Sequence, residues 1–339
     1  MESIAVKVPL SEGEKVKKEL KRKGLLRTEL KPRRESDHIL FPVKKNVDGF
    51  EMVTEDFSQR RENPSSYKDV VDIPPHLKRY LPTSYDIIGD IILIKIPREI
   101  RSYGKEIGEA LLKIHKNVVS VYHAEPVKGE YRLRNLKLLA GEPKTRTKYK
   151  EYGVELEVDV AKVFFSPRLS NERYRIAKLV RDNEVVIDMF AGCAPFSIVI
   201  AKHSNPKIIY AIDINTYAIE LAKINVKKNK LLHKVEVIEG DSAEIAKDLY
   251  KLGVKADRII MNHPFGEREF IKSALLLSKK GTFIHYYSVL KEEETQDFIE
   301  KIKGLTGNSI EVEKINKIKT YAPREFYTCF DIIVTRKPA

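Results

Sequence analysis

Apolar positions keep different spacings in successive stretches of the chain. In "SEGEKVKKELKRKG" Val16 and Leu20 lie one turn apart among charges. Ser11 and Glu14 have capping-box spacing and Gly24 can end a helix, so a short amphipathic helix is expected. "TEDFSQRRENPSSYKDVVDIPPHLKRYLP" is polar, holds four prolines and keeps no period, which reads as a linker. "YDIIGDIILIKIP" reads as two apolar strands broken at Gly89–Asp90, "EIGEALLKIHKN" as a helix and "VVSVYHAEPV" as a strand. Further on, Val154, Leu156, Val158 and Val160 alternate with Glu155, Glu157 and Asp159, the pattern of a half-buried strand. Lys144, Arg146, Lys148 and Lys150 also recur at period two. That row suits either an edge strand protected by charge or a groove that tracks phosphates.

From about Ser166 onward strand and helix patterns alternate, from "EVVIDMF" and "PFSIVIAKHS" to "TFIHYYSVL" and "KEEETQDFIEKIKG". Apolar strands separated by helices predict a mostly parallel sheet covered on both faces. Two last strand patterns with no helix between them predict an antiparallel edge. The expected organisation is a small module at 1–60, a linker at 61–75, a middle α+β domain at 76–165 and an α/β domain at 166–339.

Charge sharpens this picture. The 339 residues carry a net charge of +13, and from Gly13 to Glu35 ten Lys or Arg face four Glu. A polyanion is the usual partner of such a surface, so RNA is the expected partner. The two cysteines are far apart and the eight histidines scattered, so neither a disulfide framework nor a metal site is expected. No apolar run suits a bilayer span and the N-terminus lacks a signal-peptide plan. A cytoplasmic protein and a monomer are the expectations.

Ligands of an open parallel sheet gather at the carboxyl ends of its strands. There the pattern sets Asp188, Asp213, Asp241 and Asn262, one after each of four successive strands. Asp213 suits the two hydroxyls of a ribose and Asp241 an amine on an adenine edge. The first loop, "DMFAGCAPF", contains only Gly192 and passes into a helix at Pro195. So glycine-poor a turn wraps a diphosphate badly, and no GxxxxGK[ST] stretch is present. S-adenosyl-L-methionine fits better than NAD or ATP.

"DMFAGCAPFSI", "AIDIN", "EGDSAE" and "MNHPF" resemble the cofactor motifs of class I methyltransferases. With "YRLRNLKLLAGE" and "FFSPRLSNERYRI", the chain resembles the archaeal and eukaryotic tRNA (guanine-37-N1)-methyltransferases over nearly its whole length. That resemblance implies a Rossmann-like C-terminal domain of the class I methyltransferase type, a middle α+β RNA-binding domain and a small basic N-terminal module that contacts tRNA. It implies that Arg173, Asp188, Phe190, Ala191, Gly192, Pro195, Asp213, Ile214, Asp241, Ser242, Asn262 and Pro264 surround S-adenosylmethionine. It also implies methyl transfer to N1 of guanosine 37 in the anticodon loop, with body and elbow contacts to the tRNA. Guanine N1 carries a proton, so transfer needs a base and a cation to stabilise charge on O6. The resemblance assigns the base to Glu172 and the cation to Arg132, while Arg134 shares a strand face with Arg132. The same resemblance implies that Asn262 orients the acceptor nitrogen.

Without the resemblance, Glu172–Arg173 reads as a surface pair. Phe164 and Phe165 suit base stacking or core packing equally. His263 departs from the expected Asn-Leu-Pro or Asn-Pro-Pro, which opens methylation of C7 of the tricyclic wyosine precursor as a second activity. An aminocarboxypropyl transferase using the same cofactor and a non-catalytic RNA-binding protein are the alternatives.

Overall fold

A four-stranded antiparallel sheet begins the chain: β1 (Glu2–Pro9), β2 (Arg33–Arg34), β3 (His38–Pro42) and β4 (Glu51–Asp56), in the order β2-β3-β1-β4. Helix α1 (Gly13–Arg22) packs Val16 and Leu20 with Val6, Val8 and Phe41, while Lys15, Lys17, Lys18 and Lys21 stay exposed. Each of the two apolar side chains adds about 1.5–3 kcal/mol by leaving water. The expected capping box does not form. Ser11 lies in a 3-10 turn, Leu10–Glu12, that runs straight into α1, so no side chain caps the helix. The computed structural model describes residues 1–59, 64, 66–126, 129, 133–265 and 270–336. The chain divides into two compact units, Met1–Asp69 and Val70–Ala339.

After a four-residue helix, α2 (Tyr67–Val70), come β5 (Asp86–Ile88), β6 (Ile91–Ile94), α3 (Gly104–Ile114), β7 (Ser120–Ala124) and β8 (Leu136–Gly141). They form a sheet in the order β5-β6-β7-β8, in which α3 carries the chain between the parallel β6 and β7. At the β5–β6 turn Gly89 has φ +58°, and a Cβ there would lie 2.1 Å from Thr147 Oγ1 and 2.3 Å from the Lys148 carbonyl oxygen. Only glycine meets both demands.

Next comes the hairpin β9 (Arg146–Glu151) and β10 (Val154–Asp159), with buried and half-buried residues alternating along β10 as its sequence predicts. The cationic row is largely engaged with acids: Lys144 pairs with Asp90, Arg146 with Glu157 and Lys150 with Glu155. That favours a charge-protected strand over a bare phosphate track.

The remaining elements are α4 (Ser170–Leu179), β11 (Val185–Asp188), α5 (Pro195–His203), β12 (Ile208–Asp213), α6 (Thr216–Lys228), β13 (Val235–Glu239), α7 (Ser242–Lys251), β14 (Ala256–Met261), α8 (Phe270–Leu277), β15 (Ser278–Lys291), α9 (Thr295–Leu305), β16 (Ile310–Ala322) and β17 (Glu325–Val334). Their sheet runs β13-β12-β11-β14-β15-β17-β16. Pairs from β13 to β15 are parallel, and β17 and β16 add the expected antiparallel edge.

One apolar core joins Leu93 and Tyr122 of the middle sheet, Leu156 and Val158 of the hairpin, Val163 and Phe165, and Val186, Ile198 and Ile209 of the large sheet. The expected boundary at 165/166 falls inside this core. On β10 the exposed edge is met by two side-chain amides at the C-terminal end of α6. Asn225 and Asn229 each accept from and donate to the backbone of one residue, Glu157 and Glu155 respectively.

Candidate functional site

The large sheet reverses its strand order around β11, and a cavity opens there at the carboxyl ends of the strands, where ligands of such sheets bind. The loop after β11 bends twice through left-handed backbone, at Gly192 (φ 56°) and Ala194 (φ 63°), before Pro195 starts α5. Two backbone N–H groups fix it on β12: Ala191 N–H donates to the Ile212 carbonyl at 2.8 Å, and Gly192 N–H to the side-chain Oδ2 of Asp213 at 2.6 Å. The Ser242 hydroxyl ties the start of α7 to the Met189 carbonyl.

Ten of the residues assigned to the cofactor line this cavity: Arg173, Phe190, Ala191, Gly192, Pro195, Asp213, Ile214, Asp241, Ser242 and Asn262. Asp188 and Pro264 are not among its lining residues. Asp213 accepts from Gly192 and, at 2.9 Å, from Asn215 N–H, and burial pushes its carboxyl up against these bonds. Asp241 Oδ1 caps α7 by accepting from Ala243 and Glu244 N–H.

Asp188 lies fully buried below the loop. Its Oδ2 accepts from the Ser197 hydroxyl at 2.8 Å, and its Oδ1 has no hydrogen-bond partner among the described residues. Burial pushes this carboxyl up to about 7, against the Ser197 bond and helped by nearby Asp213. A buried acceptor of this kind fits a cofactor that carries an ammonium group.

A second cavity adjoins the first and shares Phe164 and Ser166 with it. Lys95, Arg134, Arg168 and Lys319 make it basic, and Asp86 binds Arg168 at 2.6 Å and lies 4.0 Å from Arg134. Tyr327 lines this second cavity and donates its hydroxyl to Asn262 Oδ1 in the first. Tyr321, on its wall, has its ring 5.3 Å from that of Phe265, and both are exposed aromatics. The expected Arg132 falls outside the described residues, whereas Arg134 stands in the second cavity. Phe165 is buried, its ring 5.0 Å from that of Tyr149, and it also lines the first cavity, whereas Phe164 lines both cavities. His263 lines the first cavity, edge-on to Phe190 at 4.7 Å.

Glu172 and Arg173 are not a surface pair. Both are buried and each faces a different partner. Arg173 grips Glu151 with two bonds of 2.6 Å and donates to the Ser166 carbonyl at 3.2 Å. Glu172 accepts two bonds from Arg175, at 2.7 and 2.8 Å, and one from Tyr287 at 2.7 Å. It is not among the residues lining either cavity.

Arg175, Tyr287, Tyr327, Tyr321 and Asn215 were missed in the sequence; only Asn215, four residues before Ile219 at a helix start, carried a local signal. His285, Cys329 and Asp331 bring ligand-type atoms within 4.8 Å of one another. Arg175 and Arg258 already donate into this group, so a cation there would meet two guanidiniums.

Residues 147–313 match the model of the TRM5/TYW2 methyltransferase domain, 68–145 that of the TYW2 N-terminal domain and 5–51 that of the tRNA methyltransferase 5 N-terminal domain. A tRNA (guanine(37)-N(1))-methyltransferase, Trm5b of Pyrococcus abyssi, is 44% identical over 98% of this chain and 99% of its own. The chain belongs to the TRM5/TYW2 methyltransferase family. The crystal structure of that Trm5b superposes with a TM-score of 0.80 over the same shares of both chains. The complex of aTrm5 with tRNALeu, 35% identical, gives 0.78 over 98% of this chain and 100% of that one. The TYW2 side of the family is represented by a tRNA(Phe) (4-demethylwyosine(37)-C(7)) aminocarboxypropyltransferase of Pyrococcus horikoshii, 32% identical over 78% of this chain and 93% of its own.

Proposed function

We propose that this enzyme methylates N1 of guanosine 37 in tRNA. The observation that carries the reading is the pair of adjoining cavities, one rimmed by acids and one basic, which share Phe164 and Ser166 and are linked by the Tyr327–Asn262 bond. S-adenosylmethionine supplies the methyl group and leaves as S-adenosylhomocysteine. Asp213 and Asp241 hold its ribose and adenine side, and Asp188, below the loop, receives its ammonium.

The extruded base enters the basic cavity against Phe164, with Arg134 and Arg168 meeting its phosphates or O6. Asn262 orients N1. The N1 proton passes to the Glu172 carboxylate as the N1–methyl bond forms. Because Glu172 lies outside both linings, the bound nucleotide has to open the wall between them. The basic first unit contacts the body and elbow of the tRNA, and the enzyme acts as a cytoplasmic monomer.

The test is single-turnover transfer to a tRNA transcript with guanosine at position 37, mapped by mass spectrometry. Glu172→Gln is expected to slow transfer by about 10²–10⁴-fold, with cofactor affinity unchanged. Methylthioadenosine as the product in place of S-adenosylhomocysteine identifies aminocarboxypropyl transfer instead. A methylated C7 on the tricyclic precursor marks the second activity.

A further inference from the structure

Behind Glu172 lies a continuous chain of charged groups, all buried except the half-buried Arg175, that the methyl-transfer chemistry does not touch. Arg175 spans two acids, donating to both oxygens of Glu172 and, at 2.8 and 3.1 Å, to both oxygens of Asp331. Asp331 also accepts from His285 Nδ1 at 2.6 Å and from Asn316 at 2.8 Å. On the other side of the imidazole, Arg258 lies 2.7 Å from His285 Nε2 and binds Glu184 at 2.8 and 3.0 Å. These groups come from α4, β14, β15 and β17 and from the residue before β11, so three strands and one helix of the fold are committed to them.

The tautomer follows from the partners. A guanidinium only donates, so His285 Nε2 accepts and the single ring proton sits on Nδ1, facing Asp331. Burial holds the imidazole below its usual range, so it is neutral. The chain then contains three carboxylates, Glu172, Asp331 and Glu184, against two guanidiniums, Arg175 and Arg258. One negative charge is in excess in a largely buried network that meets solvent only at Arg175, and like charges there are costly. Uptake of one proton removes the excess. Glu172 is linked toward the second cavity through Tyr287, which donates to it and packs 5.9 Å from the ring of Tyr327, a residue of that cavity's lining.

We propose that Arg175, Asp331 and His285, anchored by Arg258, are positioning residues that hold Glu172 in place and keep a surplus negative charge behind it, so that the proton of the methylated base is drawn to this carboxylate. The proposal rests on Glu172 being the base. The charged and titratable groups facing Glu172 are Arg175 on its own helix, Tyr287 on β15, and Cys329 and Asp331 on β17. Burial pushes the Cys329 thiol up, so it is neutral.

Two substitutions with opposite signs test it. Asp331→Asn removes an anion, which weakens the pull on the proton. Single-turnover transfer at saturating cofactor slows by about tenfold or more, and the acidic limb of the pH–rate profile moves to lower pH. Tyr287→Phe, nearly isosteric, removes a hydrogen bond that favours the ionised carboxylate, so the acidic limb moves to higher pH. In both variants the cofactor Kd stays within about twofold of the parent.

A structural role alone lowers the melting temperature and moves neither limb. If Asp331→Asn fails to fold, Arg175→Gln carries the test: loss of the guanidinium that donates to both oxygens of Glu172 moves the acidic limb to higher pH. Unmoved limbs together with an inactive Glu172→Gln overturn the relay and leave the base standing. A fully active Glu172→Gln overturns the base, and the relay with it.

Discussion

Asp188 and Asp331 are aspartates on strands of the same sheet, and both are buried, yet their surroundings drive them in opposite directions. Asp188 ends β11 with one oxygen bonded to Ser197 and the other without a partner among the described residues. Its burial raises it to about 7. Asp331 lies within β17, where burial also works to raise it. Donors from His285 and Arg175 outweigh that and hold it well below the ordinary carboxylate range. Burial alone does not decide whether an acid is charged; the donors around it do. The region below the loop after β11 leaves one carboxylate oxygen without a partner among the described residues. The region behind Glu172 has every acceptor engaged within the protein.

The comparison breaks first on the engaged side. Arg258→Met leaves Glu184 buried without its guanidinium and His285 Nε2 without a donor. A loss of about 3–5 kcal/mol in unfolding free energy is expected, measured by urea denaturation. A loss below about 1 kcal/mol would mean that water replaces the arginine.

The next largest effect is on the Asp188 side. Asp188→Asn is expected to weaken cofactor binding by about 1.5–3 kcal/mol, read by calorimetry. The sign with pH follows from the raised carboxyl. Between about 4 and 7 the folded protein holds a proton that the unfolded chain has released. This group's contribution to the stability of the ligand-free protein is therefore lost as pH rises through about 7. Cofactor affinity runs the other way, strengthening across that range because an ammonium needs the ionised acid. Asp188→Asn flattens this dependence, and a pH-independent affinity in the parent protein would remove the assigned role.

The smallest effect belongs to the cationic row. Lys148→Ala is expected to change the melting temperature negligibly, since exposed charges contribute about 0–1 kcal/mol. If the row follows phosphates after all, the slope of log affinity for tRNA against log salt falls by about one for this lysine.

The same contrast explains what was legible in the sequence. The cofactor rim is local: each acid directly follows an apolar strand pattern, so Asp188, Asp213 and Asp241 could be located by counting along the chain. Even there, periodicity could not say that Asp188 lies below the loop while Asp213 faces the cavity, because that depends on how β12 holds Gly192. The network behind Glu172 joins residues 156 positions apart, such as Arg175 and Asp331. His285 and Asp331 sit inside apolar strand patterns, where they read as breaks in the alternation. Only the pairing of β15 with β17, which sets His285 opposite Asp331, gives them a meaning.

A different consequence follows from Asn225 and Asn229. Without them the outer edge of β10 would offer unpaired N–H and C=O groups to any passing strand. Two carboxamides one turn apart, Asn225 in the last turn of α6 and Asn229 just past its end, imitate that missing strand, and Asn225 also donates to the carbonyl of Cys193 in the cofactor loop. The β10 edge and the cofactor loop therefore meet at one side chain, so Asn225→Ala would loosen both at once.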